Sequence, residues 1–247
     1  MNLVSAGDFS PGTMIDIHCH ILPDIDDGPR TFEESVAMAR MAAEDGVDVI
    51  VATPHVNEKL YDPAEISRRA SWLRHLIRKE NIPLTLLTGA DVNTVFAPQQ
   101  VNQFTINETD YILVEFPHTH LPATAKNILF QFRIHGMKPI ITHPERNPSI
   151  KSNPDLLLEL LDDGIFVQVT AGSVVGEFGR GAKKCAHYLL KKGVVDVLAS
   201  DGHSTKYRKP LLSQGIKGAS TIIGEEQARK LVFTNPMKII ANMSFER

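Results

Sequence analysis

The stretch Ile15-Asp16-Ile17-His18-Cys19-His20 combines a β-branched run with two histidines at positions i and i+2. Side chains two residues apart lie on one face of an extended strand, so both imidazoles can bind a single cation there. The pair by itself does not separate a chelating site from an exposed strand end. The rest of the chain has to decide between these two interpretations.

The composition predicts one soluble globular domain. The 247 residues are 43% hydrophobic and 22% charged, which is enough for a single core of barrel or open-sheet size. A net charge of −3 creates no field that attracts nucleic acid, and no apolar run reaches the ~18 residues of a membrane span. We expect no nucleic-acid partner, no membrane insertion, a flexible leader over residues 1–13 and one domain over residues 14–247.

The two cysteines, Cys19 and Cys185, are too few for a disulfide framework, and the N-terminus lacks a secretion signal. We therefore expect a cytoplasmic protein. Cys19 should point away from His18 and His20 because adjacent side chains on a strand face opposite sides, so it is expected to pack rather than to bind metal.

Short β-rich runs alternate with helical patterns along most of the chain, and Thr31 with Glu34 predicts a capping box. Several runs are apolar throughout, as in strands covered on both faces. This order predicts a closed or distorted parallel barrel, with a doubly wound open sheet as the alternative. The predicted strands are Met14–His18, Val47–Thr53, Leu84–Thr88, Tyr111–Phe116, Pro139–Thr142, Ile165–Thr170 and Val194–Ala199. The predicted helices are Thr31–Asp45, Pro63–Lys79, Ala123–His135, Pro154–Asp163 and Arg180–Lys192.

Side chains with metal-binding chemistry follow six of these strands. The carboxyl ends of the strands of a parallel β/α barrel meet at one face. Buried carboxylates that cluster there repel each other unless a cation compensates them, so metal binding explains the pattern better than isolated rim hydrogen bonds. Mixed imidazole and carboxylate ligands suit Mn, Fe or Zn, and their number requires at least two ions and allows three. The candidate ligands are His18, His20, His55, Asp91, Glu115, His143, Asp201 and His203.

Two arginines lie on the same predicted loops, Arg146 after His143 and Arg208 seven residues after Asp201. Neighbouring metal ions favour in-line displacement at phosphorus, and arginine binds phosphate bidentately. The position alone is equally compatible with ordinary surface arginines. Glu145 is expected either to support the cluster or to face solvent.

Other clusters of acidic residues and histidines are not expected to bind metal. A second HxH, His118 and His120, follows Pro117 in a loop and is placed at the mouth of the cleft. The acidic residues Asp16, Asp24, Asp26 and Asp27 lack the full calcium-loop pattern, and Gly28-Pro29 indicates a turn, so they are not expected to bind metal. The chain contains no GxSxG, P-loop or dinucleotide fingerprint, which leaves serine hydrolase, NTPase and dehydrogenase functions without support.

From Met14 onward the chain resembles the PHP (polymerase and histidinol phosphatase) family, and most closely its CpsB/YwqE type, the protein-tyrosine phosphatases encoded with capsule and exopolysaccharide machinery. The resemblance rests on an ordered set of short motifs. They are Met14 to His20, Asp26-Asp27-Gly28-Pro29, Ala52-Thr53-Pro54-His55, Gly89-Ala90-Asp91, Leu113-Val114-Glu115-Phe116, Thr142-His143-Pro144-Glu145-Arg146, Ser200-Asp201-Gly202-His203 and Asn235-Pro236-Met237-Lys238-Ile239-Ile240.

The resemblance implies a distorted (β/α)7 TIM-like barrel, the PHP fold, that holds a trinuclear cluster, usually of Mn²⁺. It assigns Arg146 and Arg208 to phosphate binding and seven of the eight candidates to ligand positions: His18, His20, His55, Glu115, His143, Asp201 and His203. The chain departs from the family at Asp91, where members commonly carry a bridging glutamate that is one methylene longer.

The leading hypothesis is a metal-dependent, not cysteine-based, protein-tyrosine phosphatase in which a metal-bound hydroxide attacks phosphorus. The resemblance implies that its partner is the tyrosine-phosphorylated C-terminal tail of a bacterial polysaccharide co-polymerase kinase. The alternatives are a phosphatase of a small molecule, such as a sugar phosphate or histidinol phosphate, and a non-catalytic phosphotyrosine-binding module. An apolar stripe at Met38, Met41 and Ala42 would suit either a homo-oligomer interface or the core.

Overall fold

The structure is a computed structural model that describes residues 12–57 and 60–245. Most of the predicted leader, residues 1–11, lies outside the described residues. The strands are β1 Ile15–Cys19, β2 Val49–Ala52, β3 His55–Val56, β4 Thr85–Thr88, β5 Asp91–Asn93, β6 Tyr111–Glu115, β7 Lys138–Thr142, β8 Phe166–Thr170 and β9 Val197–Ala199.

These strands form a parallel barrel with seven strand positions, called staves below; β2 with β3 fills one position, and β4 with β5 fills another. One sheet has the order β1-β2-β4 and the other β3-β5-β6-β7-β8-β9, and all pairs are parallel. The chain passes from β2 to β3 across Pro54, which has no N–H for a ladder bond, and from β4 to β5 across Gly89-Ala90. Each of these two staves therefore belongs to both sheets.

The ring closes between β9 and β1. A parallel bridge joins Cys19 to Gly202, the His20 N–H donates to the Gly202 carbonyl at 2.8 Å, and the Asp201 N–H donates to the His18 carbonyl at 2.8 Å. The predicted distorted (β/α)7 barrel is confirmed, and the doubly wound open sheet is wrong.

The alternation of faces along β1 is interrupted just before the histidines. Ile15 and Ile17 pack inside the barrel, whereas Cys19 packs in the layer between barrel and helices. The pairing register with β2 shifts between Asp16 and Cys19, and an irregularity of this kind changes the direction of the following side chains. The expectation that Cys19 packs is consistent with its full burial.

The helices surround the barrel. The Thr31 hydroxyl caps α1 by accepting from the Glu34 N–H, while the Glu34 carboxylate accepts from the Arg30 N–H instead of completing the predicted box. The helices are α1 Phe32–Glu44, α2 Pro63–Lys79, α3 Pro98–Val101, α4 Ala125–Ile134, α5 Pro148–Ser152, α6 Asp155–Leu158, α7 Ala171–Val175, α8 Gly179–Lys191, α9 Ser213–Ile223, α10 Glu225–Lys230 and α11 Thr234–Ile240. Over the described ranges, no helix has the length and apolar character to cross a membrane.

Packing bears on two expectations about the helices. Met38 and Ala42 of the α1 stripe are fully buried in the core, whereas Met41 is half-buried. The predicted helix over 154–163 is too long: α6 ends at Leu158, and the N–H groups of Leu160 and Leu161 donate three residues back, in the tighter 3₁₀ pattern.

Candidate metal centre

The eight candidate ligands converge at the carboxyl end of the barrel. Four groups of nitrogen and carboxylate-oxygen atoms lie there, and the atoms of each group are within 4.8 Å of one another. All eight residues are buried, with Glu115 only 1% exposed. The groups are His20, Asp27, His55 and His203; His18, Asp91 and His143; His18, His20 and Asp201; and His55, Asp91 and Glu115.

Shared residues join these groups into one cluster. His18 Nε2 lies 3.6 Å from Asp91 Oδ2 and 3.5 Å from Asp201 Oδ1. His55 Nδ1 lies 3.4 Å from Asp91 Oδ2 and 3.6 Å from Glu115 Oε2. His143 Nε2 lies 4.0 Å from the same Asp91 oxygen, so this carboxylate is near three imidazoles from different strands. Despite its shorter side chain, Asp91 therefore belongs to two of the candidate ligand groups.

Asp27 also joins the cluster, and the sequence reasoning missed it. Its Oδ1 lies 3.2 Å from His203 Nε2 and 3.6 Å from His55 Nε2. Its side chain is 58% exposed, so it lies on the solvent side of the site. The Asp26-Asp27-Gly28-Pro29 motif was an available signal, but its acidic run was assigned to a turn.

Two of the histidines contact buried polar side chains through Nδ1, the ring nitrogen that does not face the cluster. His20 Nδ1 lies 2.7 Å from Asp26 Oδ2, which also accepts from the His55 N–H at 3.0 Å. His18 Nδ1 lies 2.9 Å from Gln168 Oε1. When Nδ1 carries the proton in these contacts, Nε2 of each ring keeps its lone pair facing the cluster.

The backbone at the strand ends is adapted to present two of the ligands. His143, with φ of 34°, and Asp201, with φ of 53°, occupy the left-handed region immediately after β7 and β9. For residues other than glycine this conformation costs roughly 1–3 kcal/mol and persists where the surroundings impose it. Such strain is concentrated in binding and catalytic sites.

Burial and neighbouring charges move the pKa values of the two histidines of the HxH pair in opposite directions. Burial lowers the pKa of His18 to about 4, against the opposing effect of Asp91 and Asp201. Burial would also lower the pKa of His20, but Asp26 and Asp201 raise it to about 10. Opposite shifts in neighbouring groups are typical of functional sites.

The donor atoms of the cluster fit divalent cations. Several buried atoms that face the cluster make no hydrogen bond, which is costly for polar groups unless another partner satisfies them. Imidazole nitrogen together with carboxylate oxygen is the donor set of Mn, Fe and Zn sites. Among the eight candidate ligands, the buried atoms without a hydrogen bond include His55 Nδ1, Asp91 Oδ2, Glu115 Oε1, Glu115 Oε2 and His203 Nε2.

Both predicted phosphate-binding arginines lie beside this cluster. Arg208 Nη2 donates to both oxygens of Asp201, at 2.7 and 2.6 Å, and Arg146 Nη1 donates to Asp201 Oδ2. The Arg146 guanidinium lies over the Phe178 ring, 4.5 Å from its centroid. The two guanidinium groups therefore reach the cluster from different loops. Whether they bind phosphate stays a prediction.

The remaining candidates separate into one buried residue and two at the rim. Glu145 is fully buried and accepts from the Thr170 N–H at 3.1 Å and the Ser173 hydroxyl at 2.6 Å, so it supports the loop and does not face solvent. His118 and His120 lie at the exposed rim; His118 Nε2 is 3.5 Å from Glu115 Oε1.

A parallel barrel with buried imidazoles and carboxylates at its carboxyl rim, next to two arginines, defines a metal-dependent hydrolase. The family model for capsular polysaccharide synthesis proteins CpsB/CapC matches residues 14–241, and the chain belongs to this family. The resemblance to the CpsB/YwqE type that the motifs indicated is therefore confirmed.

Known relatives agree with this assignment. The chain is 39% identical over 201 residues to tyrosine-protein phosphatase YwqE of Bacillus subtilis, covering 79% of each chain. It is 32% identical over 242 residues to tyrosine-protein phosphatase CpsB of Streptococcus pneumoniae, covering 92% of this chain and 98% of the relative. A solved structure from work on YwqE and CpsB, described as metal-dependent tyrosine phosphatases, superposes with a TM-score of 0.88 at 35% identity, covering 95% of this chain and 97% of the other. These relatives confirm the predicted enzyme class.

Proposed function

We propose that this protein is a Mn²⁺-dependent phosphatase that removes phosphate from the tyrosine-rich C-terminal tail of a bacterial polysaccharide co-polymerase kinase in the cytoplasm. The observation that carries the proposal is the convergence of eight buried imidazoles and carboxylates beside Arg146 and Arg208. The names of the relatives, tyrosine-protein phosphatases, support phosphotyrosine as the substrate. The place of the family in capsule synthesis supports a kinase of that machinery as the partner.

The proposed role of each side chain follows from its position in the site. The eight predicted ligands, with Asp27, would hold the ions, which when bound supply Lewis acidity and lower the pKa of water. Asp201 holds Arg146 and Arg208 on one side of the cluster. The paired N–H donors of the two guanidinium groups match the geometry of phosphate oxygens and neutralise the charge that develops during phosphoryl transfer. Arg146 is further oriented by its contact with Phe178.

The first test removes and restores the metal. Purified protein treated with a chelator should lose phosphate release from a phosphotyrosine peptide, and added Mn²⁺ should restore it. Elemental analysis of the untreated protein should find two or three ions per chain. Mn²⁺ at about 100 times its Kd should stabilise the fold by roughly 2.7 kcal/mol, because only the folded state binds it.

A pair of variants separates the cluster from general histidine effects. The double variant His18→Ala/His20→Ala should bind less metal and lose activity, because both imidazoles lie in candidate ligand groups. The variant His75→Ala, at an exposed position of α2, serves as the control and should behave as the wild type. Full activity of the double variant contradicts the proposal. Preference for sugar phosphates or histidinol phosphate over the kinase-tail peptide would instead identify a small-molecule phosphatase.

A further inference from the structure

Strand β1 has one extra residue relative to β2 just where the HxH pair begins. The pairing advances by three residues on β1, from Asp16 to Cys19, and by only two on β2. A bulge of this kind shifts every later side chain of the strand to the opposite face. Ile17 points into the barrel, so without the bulge Cys19 would follow it there. The bulge is therefore what directs His18 and His20 to the metal centre.

The side chain of Asp16 holds this bulge from within β1. The carboxylate is fully buried, and its Oδ1 accepts from the N–H of His18, two residues further along, at 3.3 Å. An aspartate that accepts from the backbone two residues later forms a local turn that competes with regular strand pairing. The register shift begins at Asp16 itself, so this local contact coincides with the extra residue.

Ser200 connects Asp16 to the second ligand-bearing segment, which follows β9. The Ser200 N–H donates to Asp16 Oδ1 at 3.0 Å, and the Ser200 hydroxyl donates to Oδ2 at 2.5 Å. The hydroxyl oxygen in turn accepts from the Gly202 N–H at 2.9 Å, and this contact spans Asp201 with its left-handed φ of 53°. Two local turns, one ending at His18 and one around Asp201, are thus joined through their own side chains.

We propose that Asp16 and Ser200 are positioning residues that hold His18 and Asp201 against each other at the metal centre. The proposal rests on the proposed function and adds to it the contacts that bring ligands from β1 and β9 to one place. His18 Nε2 and Asp201 Oδ1 are 3.5 Å apart in a candidate ligand group, whereas Asp16 belongs to no such group among the described residues. The N–H groups that donate to Asp16 are uncharged, so an amide of the same shape should replace this carboxylate.

The test compares the Mn²⁺ affinity of full-length variants by competition with a chelating dye. Asp16→Ala removes the three hydrogen bonds that this side chain accepts from His18 and Ser200. It should weaken Mn²⁺ binding by about 10- to 100-fold, the usual effect of losing a residue that orients a metal ligand. Asp16→Asn keeps an oxygen for the two N–H donors and should stay within about threefold of the wild type.

A matched control separates positioning from the general cost of removing a buried carboxylate. Asp196 is also buried and also accepts from a neighbouring strand, from the Val167 N–H at 2.8 Å, but it lies at the amino end of β9. Asp196→Ala should lower the stability of the fold and leave the Mn²⁺ affinity of the folded protein unchanged.

Thiol labelling provides a readout that needs no metal. Cys19 lies on β1 and Cys185 on α8, and both thiols are buried. In chelator, Asp16→Ala should let iodoacetamide label Cys19 roughly tenfold faster than Cys185, because β1 then opens locally. Both thiols should stay unmodified in the wild type, in Asp16→Asn and in Asp196→Ala. Asp16→Asn removes the same charge as Asp16→Ala, so a difference between the two variants reports the position of the strand.

Each outcome has a defined meaning. Wild-type Mn²⁺ affinity in Asp16→Ala overturns the proposal, as does an equal loss of affinity in Asp16→Asn or in Asp196→Ala. If Asp16→Ala does not fold, Ser200→Ala carries the same test: an affinity loss of about tenfold is expected, and wild-type affinity overturns the proposal.

The proposed function can fail without the positioning role, because neither readout depends on turnover. A wild type that binds Mn²⁺ but releases no phosphate from phosphotyrosine peptides refutes only the proposed function. A wild type that binds no Mn²⁺ also refutes the proposed function, and the labelling of Cys19 then decides the positioning role: an unlabelled Cys19 in Asp16→Ala overturns it.

Discussion

Asp26 is expected to be as important for the metal centre as a direct ligand, although it lies in none of the candidate ligand groups. Its two oxygens accept from the Gly28 N–H at 2.9 Å and the His55 N–H at 3.0 Å, and Oδ2 contacts His20 Nδ1 at 2.7 Å. The variant Asp26→Asn keeps the shape of the side chain and removes its charge. It should weaken Mn²⁺ binding by roughly 10- to 100-fold, the usual effect of losing a carboxylate that orients a ligating histidine.

The stability of the metal-free protein should change as well. Burial would raise the pKa of Asp26, but the His20 ring and the hydrogen bonds it accepts lower it to about 2, from an ordinary value of 3.8. The difference corresponds to about 2 kcal/mol of stability, which the folded protein has above pH ~4 and loses as the pH falls toward 2. Asp26→Asn should therefore lower the free energy of unfolding by about 2 kcal/mol at pH 7, and the gap should shrink below pH 4.

Urea denaturation with chelator present measures the stability, and competition with a chelating dye measures the Mn²⁺ affinity. Asp24→Asn is the matched control: Asp24 is exposed in the same loop with φ of 51°, a conformation that asparagine adopts readily. It should match the wild type in both assays. Wild-type Mn²⁺ affinity in Asp26→Asn would refute the role assigned to this carboxylate, and a stability gap that persists at pH 2 would refute its electrostatic origin.

Three further predictions concern the two thiols, the loop at Gly28 and the carboxylate of Asp91. Burial raises the pKa of Cys185 to about 12 and that of Cys19 well above its usual value. Iodoacetamide at pH 8 should therefore leave both thiols of the native protein unmodified, as measured by mass spectrometry. Rapid labelling with loss of activity would contradict this. Gly28→Ala would place a Cβ 2.3 Å from the His20 carbonyl oxygen, so it should destabilise the fold by about 1–3 kcal/mol in urea denaturation, and an unchanged midpoint would argue against this packing. Asp91→Asn should reduce the number of ions per chain measured by elemental analysis, because this carboxylate lies in two candidate groups; an unchanged number would exclude Asp91 as a ligand.

The sequence predicted most staves of the barrel because their signals are local. Apolar runs bounded by turn formers identify strands, and the observed β6, Tyr111–Glu115, and β8, Phe166–Thr170, differ from the predicted ranges by one residue. The candidate ligands were found for the same reason, since each lies at or shortly after the end of a predicted strand. Their convergence then needed only the general geometry of a parallel barrel.

The C-terminal helices illustrate what local signals miss. Helix α9 contains Gly215 and Gly218, which disfavour helix in isolation. A Cβ at Gly215 would lie 2.6 Å from Ala171 Cβ, and one at Gly218 would lie 2.9 Å from Val174 Cγ1, so close packing against α7 requires both glycines. No sequence pattern within α9 predicts this contact, because its partner, α7, is about forty residues away in the chain.

The amino-acid sequence by itself determined the barrel class, the order of the strands and the chemical identity of the candidate metal ligands, because periodicity and residue type are properties of short segments. Only the tertiary structure decided which of these candidates lie close enough to one another to form a group. The register shift in β1 separates Cys19 from the barrel interior, and the loop after it brings Asp26 behind His20 and Asp27 in front of His203. The contact between Asp27 and His203 depends on the closure of β9 onto β1, which joins segments some 180 residues apart.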